Sequence, residues 1–152
     1  MFANAKAYVA APVVGMTDEQ RQEIDRVTQV LEKCFGQIYC PWKLKIPNAW
    51  NMPMDQGARC VFTQDVIELD RADTVVVCDY GRFSSCGTAW EAGYAFAKGK
   101  RVIVVRMPNI KEVSLMVNNG CNIVVQYEDF IEDNWISPDY KLENKNLTII
   151  QN

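Results

Sequence analysis

The chain offers two well-placed carboxylates and no imidazole, and that contrast defines the chemistry open to it. Histidine is absent from all 152 residues, which removes every His-based acid, base or triad and the usual zinc constellations. What remains is Glu91 and Asp65, with hydroxyls at Tyr8, Ser84, Ser85 and Thr88. Two acids are the inventory of glycosyl chemistry, in which one carboxylate attacks or stabilises an oxocarbenium-like carbon and the other moves a proton. Paired acids are also common on ordinary surfaces, so spacing alone leaves both readings open. Other chemistries lack their motifs. The chain has no G-x-G-x-x-G for a dinucleotide, no G-x-x-x-x-G-K-[ST] P-loop and no G-x-S-x-G elbow. No metal and no cofactor is expected.

The acids need elements to hold them. Gly87-Thr88-Ala89-Trp90-Glu91-Ala92-Gly93-Tyr94-Ala95 reads as the start of a helix, and the apolar run Arg101-Val102-Ile103-Val104-Val105 follows as a strand. Upstream, Thr74 to Asp79 is a second apolar run, so Tyr80 to Cys86 is the loop of a βαβ unit. In open α/β sheets the ligand crevice lies at the carboxyl ends of the strands, where that loop sits. Glu91 is expected in the first helical turn, where unpaired N–H groups and the macrodipole favour an acid even without a ligand. Its neighbours argue for more than that. Gly87, Ala89 and Gly93 allow close approach, while Trp90 and Tyr94 present flat apolar faces.

In chain order, Ala5 to Ala11 closed by Pro12 predicts the first strand. Thr17 to Gln20 has capping-box spacing ahead of Ile24, Val27, Val30 and Leu31, which predicts a helix from Asp18 to Phe35 stopped by Gly36. Gln37 to Cys40 is the next strand. Pro41 to Gly57 is Pro-, Asn- and Trp-rich and reads as a lid or a packing flap. A helix from Ala58 to Arg71 carries Asp65, with Asp73 at the corner beyond it in a structural place. Val113 to Val117 begins a short helix, Asn122 to Gln126 is a last parallel strand, and Glu128 to Glu132 is one helical turn. The tail from Ser137 is polar apart from Leu147 to Ile150. Five strands alternating with helices predict an α/β, doubly wound, flavodoxin- or Rossmann-like three-layer sandwich around a five-stranded parallel sheet.

Composition bounds the partners. The chain has the length of a single domain spanning residues 1–152, and 49% apolar residues supply a real core. A net charge of -3 without a basic stripe disfavours a nucleic-acid polymer. The apolar runs are strand-length, which argues against a membrane span. Six cysteines without close pairs, and an opening that lacks a leader pattern, predict reduced thiols in the cytoplasm.

Several pieces in register carry a family likeness. Tyr8-Val9-Ala10-Ala11-Pro12, Gln64-Asp65 with Asp73 beyond, the Gly87 to Ala95 stretch followed by Gly99-Lys100, and Ser114-Leu115-Met116 together resemble the nucleoside 2-deoxyribosyltransferase family over roughly residues 6–126. The resemblance implies a compact α/β fold, homo-oligomers with active sites shared between subunits, and cleavage of the N-glycosidic bond of a 2'-deoxynucleoside. By that resemblance Glu91 is the nucleophile that forms an ester at C1', Asp65 handles the base and its proton, and Tyr8 orients Glu91. Gly87 and Thr88 fall in the substrate-binding motif, and Ser114 and Met116 reach into a neighbouring subunit's site.

The departures point to a subclass. Six residues before the catalytic Glu the transferases usually carry an acid, where this chain has Ser85, and they carry Asn where it has Ser114. The relatives that hydrolyse 2'-deoxynucleoside 5'-monophosphates resemble it better there, using serine hydroxyls on the phosphate. A carboxylate beside a phosphate is repelled by about 4 kcal/mol for unit charges roughly 4 Å apart at an effective dielectric near 20, whereas a hydroxyl donates. Against this, the first loop, Ala11 to Met16, lacks the Arg those hydrolases carry. Three functions follow: hydrolysis of a deoxynucleoside monophosphate, base exchange between deoxynucleosides, and nucleotide binding without turnover.

Overall fold

The computed structural model describes residues 2–136 and 148–150. Strand β1 (Phe2–Ala10), helix α1 (Asp18–Cys34), strand β2 (Phe35–Tyr39), helix α2 (Met54–Arg71), strand β3 (Thr74–Asp79), helix α3 (Cys86–Ala97) and strand β4 (Arg101–Arg106) form the main body. Strand β5 (Glu112–Ser114), helix α4 (Leu115–Asn119), strand β6 (Ile123–Gln126), helix α5 (Tyr127–Ile131) and strand β7 (Thr148–Ile150) complete it. The main sheet runs β2-β1-β3-β4-β6 with every pair parallel. That is the flavodoxin-like doubly wound order, whose switch point lies between β1 and β3.

The central strands are apolar on both faces because both are covered. Alternation along β1, β3 and β4 sends Val9, Val76 and Ile103 to a core beneath α1 and α5, which Ile24, Leu31 and Phe130 complete. The intervening Tyr8, Ala10, Val75, Val77, Val102 and Val104 face Leu69 of α2 and Ala92 and Ala95 of α3. The catalytic candidates therefore sit on the α2/α3 side. A capping box starts α1, with the Thr17 hydroxyl accepting from Gln20 N at 3.2 Å and the Gln20 side chain accepting from Thr17 N at 3.0 Å.

Several boundaries differ from expectation. Gly36 does not stop α1; Phe35 already has extended dihedrals (φ -113°, ψ 146°), and Gly36 lies inside β2. Helix α2 begins at Met54 rather than Ala58, following Pro53. The preceding Pro41 to Pro53 segment contains two short 3-10 turns, with Trp42 packed on the α1-side core and Trp50 almost fully exposed. Residues 113–117 split between β5, which pairs in parallel with β7, and α4. The rest of the tail expected to be polar lies outside the described residues.

A buried polar cluster shapes the loop between β3 and α3. Asp79, at the end of β3, accepts from Gly81 N at 2.9 Å and from the Ser84 hydroxyl at 3.1 Å, and Ser84 Oγ accepts from Tyr80 N at 2.8 Å. Gly81 has φ +62°, and a Cβ there would lie 2.0 Å from the Glu112 carbonyl oxygen, so only glycine fits. Arg106 pairs with Asp79 across β3 and β4 and donates to Asn118 of α4 at 2.7 Å. Ser84 is thus committed to the loop, and Asp73, expected to be structural, accepts from Lys6 N at 2.8 Å.

Leu69 is fully buried beneath the Tyr8 side of the sheet. Leu69→Ala is expected to cost about 2–5 kcal/mol of unfolding free energy, measured by urea denaturation; a loss below about 1 kcal/mol would mean that α2 is not docked on this core.

Candidate functional site

Two phenols on adjacent strands hold two carboxylates on adjacent helices. Tyr8 of β1 is fully buried and donates its hydroxyl to Glu91 Oε1 of α3 at 2.5 Å. Tyr39 ends β2 and donates to Asp65 Oδ1 of α2 at 2.7 Å. The parallel register places Tyr8 opposite Tyr39, and their rings lie 5.3 Å apart between centroids. Glu91, Asp65 and Tyr39 are half-buried. The acids expected to work together do lie in one group.

Glu91 is the sixth residue of α3 and so stands in the second turn, not the first. The helix terminus no longer accounts for it, because the dipole effect falls off within the first turn. Burial pushes its carboxyl up to about 7, the negative charge of Asp65 adds to the rise, and the Tyr8 hydrogen bond opposes it. Burial also raises Asp65, against the pull of Tyr39. Both phenols are pushed upward, by burial first and then by the carboxylates they touch, and remain protonated donors. The two carboxyls influence each other, so their titration belongs to the pair. One oriented anion beside one acid can form and break a bond at an acetal-like carbon.

The remaining candidates divide. Ser85 is the N-cap of α3; its Oγ accepts from Thr88 N at 3.1 Å and lies 2.8 Å from Thr88 Oγ1. Thr88 is buried, with its hydroxyl against Ser85. Gly87 is the second residue of α3 and exposed. Ser114 caps α4, accepting from Val117 N at 3.4 Å, and Met116 is exposed. These two line an apolar groove of about 450 Å³ with Ala89, Gly93 and Phe96 of α3. Helical periodicity puts that groove on the opposite flank of α3 from Tyr94 and Trp90, which face α2. Trp90 stacks on Tyr94 at 5.1 Å and meets Phe62 at 5.6 Å, while Trp135 is buried against Phe130.

Tyr39 was not among the expected site residues. Its one signal in the sequence is its place just before Cys40-Pro41 at the end of a strand, matching Tyr8 near the end of the first. Among the described residues no cluster of His, Cys, Asp or Glu could hold a metal ion, no helix is long and apolar enough to cross a membrane, and all six cysteines are free.

The profile of the family described as nucleoside 2-deoxyribosyltransferase matches residues 7–146. The chain belongs to that family. Comparison with curated protein sequences returns no significant match. Among solved structures, the chain is similar to a 2-deoxyribosyltransferase from Bacillus psychrosaccharolyticus, with TM-score 0.69 and 21% identity over 96% of this chain and 99% of that one. It also resembles a conserved protein from Enterococcus faecalis (0.65, 19%, over 86% and 96%) and a CMP N-glycosidase from Clostridium botulinum (0.60, 16%, over 87% and 99%). At these identities the structures bear on the fold, which is that of the deoxyribosyltransferases. The chain is thus a member of an enzyme family whose description names deoxyribosyl transfer.

A titration prediction follows from Glu91. Between the ordinary carboxylate value of 4.5 and about 7, the folded chain holds a proton that the unfolded chain has released. Stability from this group is full below the lower value, falls as pH rises through that window and is lost above it, a change of roughly 3 kcal/mol. Glu91→Gln keeps an acceptor for the Tyr8 hydroxyl and removes the charge. Its melting temperature relative to wild type should therefore be higher at about pH 8 than at about pH 4, and a difference independent of pH would contradict the buried-acid assignment.

Proposed function

We propose that the chain hydrolyses the N-glycosidic bond of 2'-deoxynucleoside 5'-monophosphates through a covalent intermediate on Glu91. The Glu91 carboxylate attacks C1', the C1'–N electron pair leaves with the base, and Asp65 gives its proton to the departing base nitrogen. Water then attacks C1', the ester bond breaks to restore the Glu91 carboxylate, and the water's proton returns to Asp65. Tyr8 holds Glu91 through Oε1. The observation that carries the reading of Glu91 as nucleophile is this buried phenol-to-carboxylate bond in a member of a glycosyl-transferring family.

The phosphate preference rests on Ser85. Its oxygen accepts from Thr88 N, and when Thr88 Oγ1 is the donor in the second contact, the Ser85 proton is free to turn toward an anion. Cys86 and Gly87, in the first turn of a twelve-residue helix, add N–H groups without intrahelical partners. Ser85 precedes Glu91 by six residues, about 9 Å along the helix axis. A furanose ester at Glu91 with its 5'-phosphate arm can bridge that separation.

The opposite-flank placement of Ser114 and Met116 supports a homo-oligomer in which they complete a neighbour's site. Phe62 and Trp90 on one flank of α3, and Phe96 and Met116 on the other, each leave close to half or more of their surface exposed, apolar surface suited to a second copy. Free cysteines fit a cytoplasmic setting. Base exchange remains the rival function, since the family's name describes it. Binding without turnover has no observation in its favour.

Free base is to be followed by chromatography with deoxynucleoside monophosphates and with deoxynucleosides. Release from the monophosphates is expected, and Glu91→Gln should lower it by at least about a thousandfold. Ser85→Asp should depress turnover of the phosphorylated substrate selectively. Turnover of nucleosides alone would reject the phosphate reading, and product that depends on added base would identify the transferase. Shared sites have their own test. Glu91→Gln and Ser114→Asp subunits, each inactive alone, should regain activity on mixing, to about a quarter of wild-type sites in an even random dimer mixture; no recovery would place Ser114 in its own chain's site or outside any.

A further inference from the structure

We propose that Tyr39 is a positioning residue that acts through Asp65, donating a hydrogen bond that strengthens as Asp65 passes its proton to the departing base. The inference rests on the acid role given to Asp65 above and adds a residue that the family resemblance did not supply. Its geometry is specific. Tyr39 Oη lies 2.7 Å from Asp65 Oδ1, the Tyr39 ring is fixed beside the Tyr8 ring at 5.3 Å, and Tyr8 holds Glu91. The two phenols thus set the two acids in a common frame built on the paired β1 and β2.

The chemistry explains why a phenol suits that place. When the C1'–N bond breaks, its electron pair stays on the base nitrogen, the proton moves there from Asp65, and the carboxyl becomes a carboxylate. A neutral donor already aimed at Oδ1 gains from the charge that appears on Asp65 and needs no reorganisation. The bond is therefore worth more in the transition state than in the ground state, and its loss falls on kcat rather than on KM. A lysine in that place would hold Asp65 ionised and unable to donate; a phenylalanine would leave it a weaker acid. In the second half-reaction the same bond fixes the carboxylate that takes the proton from water.

The groups facing this pair are known. Tyr8 and Glu91 approach from β1 and α3, and Glu68 lies one turn along α2, paired to Lys6 and Arg71. Burial raises Asp65 and the Tyr39 bond lowers it, so removing the hydroxyl raises its proton affinity. The state carrying one proton on the two acids then persists to higher pH.

Tyr39→Phe keeps the ring against Tyr8 and deletes only the hydroxyl. It should lower kcat for a deoxynucleoside monophosphate about tenfold to a hundredfold with KM little changed, and move the alkaline limb of the profile to higher pH. A sugar phosphate carrying nitrophenol at C1', whose leaving group needs no proton, should be slowed far less. In the Asp65→Asn background the same change should cost almost nothing further. Equal slowing of both leaving groups with no pH shift, or additive losses in the double variant, would reduce Tyr39 to a packing residue and overturn the inference. A readout independent of turnover is the Asp65 carboxyl titration by carbon-13 NMR, expected at higher pH in Tyr39→Phe than in wild type. An unmoved titration overturns the inference even in an active enzyme. A moved titration in a protein that releases no base from any nucleotide would uphold the hydrogen-bond coupling and reject the proposed reaction instead.

Discussion

A fully buried phenol donating to a half-buried carboxylate is the constraint on which the rest of this structure turns. Tyr8 can bury completely only because β1 is interior to the sheet, flanked by β2 and β3, with α2 and α3 laid over that face. Once buried, its hydroxyl must find an acceptor, since an unpaired polar atom there costs about 1–3 kcal/mol. Glu91 supplies the acceptor, and it does so from the edge of the same helical face that presents Thr88, Ala92 and Ala95 to the core. The small residues of α3 bring the helix close enough for this bond. The acid is therefore held by the core itself and not by a mobile loop.

That origin changes how the site's chemistry is understood. A carboxylate in the first turn of a helix is explained by the helix; one in the second turn, pushed up to about 7 by burial and by a neighbouring acid, is not. The fold spends stability to keep it there. Strained electrostatics of this kind cluster at functional sites because a structural role would be served better by an apolar side chain. Asp65 is held by the matching device one strand over, so the two acids differ chiefly in how deeply each is buried and in which groups surround it.

Much of the fold was legible because the signals were local. Apolar runs at Thr74 to Asp79 and Arg101 to Val105, a capping box at Thr17, and the Gly87 to Ala95 stretch each announce an element within a few residues. What escaped depended on partners distant in sequence. Glu112 to Ser114 is a strand because it pairs with residues 148–150, and no pattern within it says so. The first turn of α2 went unseen because Met54, Asp55 and Gln56 are exposed and carry no apolar period. Gly36 read as a stop, yet Phe35 had already turned to extended geometry to fill the core. Of the residues that converge at the candidate site, Glu91, Asp65 and Tyr8 are singled out by motifs in register. Tyr39 was not, because its meaning comes from standing opposite Tyr8 across two parallel strands.

The proposed phosphate preference depends on the loop ahead of α3. Asp79 ties down Gly81 and Ser84, its strand partner Arg106 reaches Asn118 of α4, and Ser85 emerges from that knot as the cap of the helix that carries Glu91. In the proposed reaction both ends of the nucleotide are referred to one rigid rod: the sugar carbon to Glu91, the 5' end to Ser85. A serine at the cap supplies an oxygen to the helix and a proton to the ligand, whereas an acid there would serve the helix equally and repel a phosphate. On the proposed reading, substrate choice turns on one side chain at the helix start, while the acids beneath it, held by Tyr8 and Tyr39, are free to stay the same.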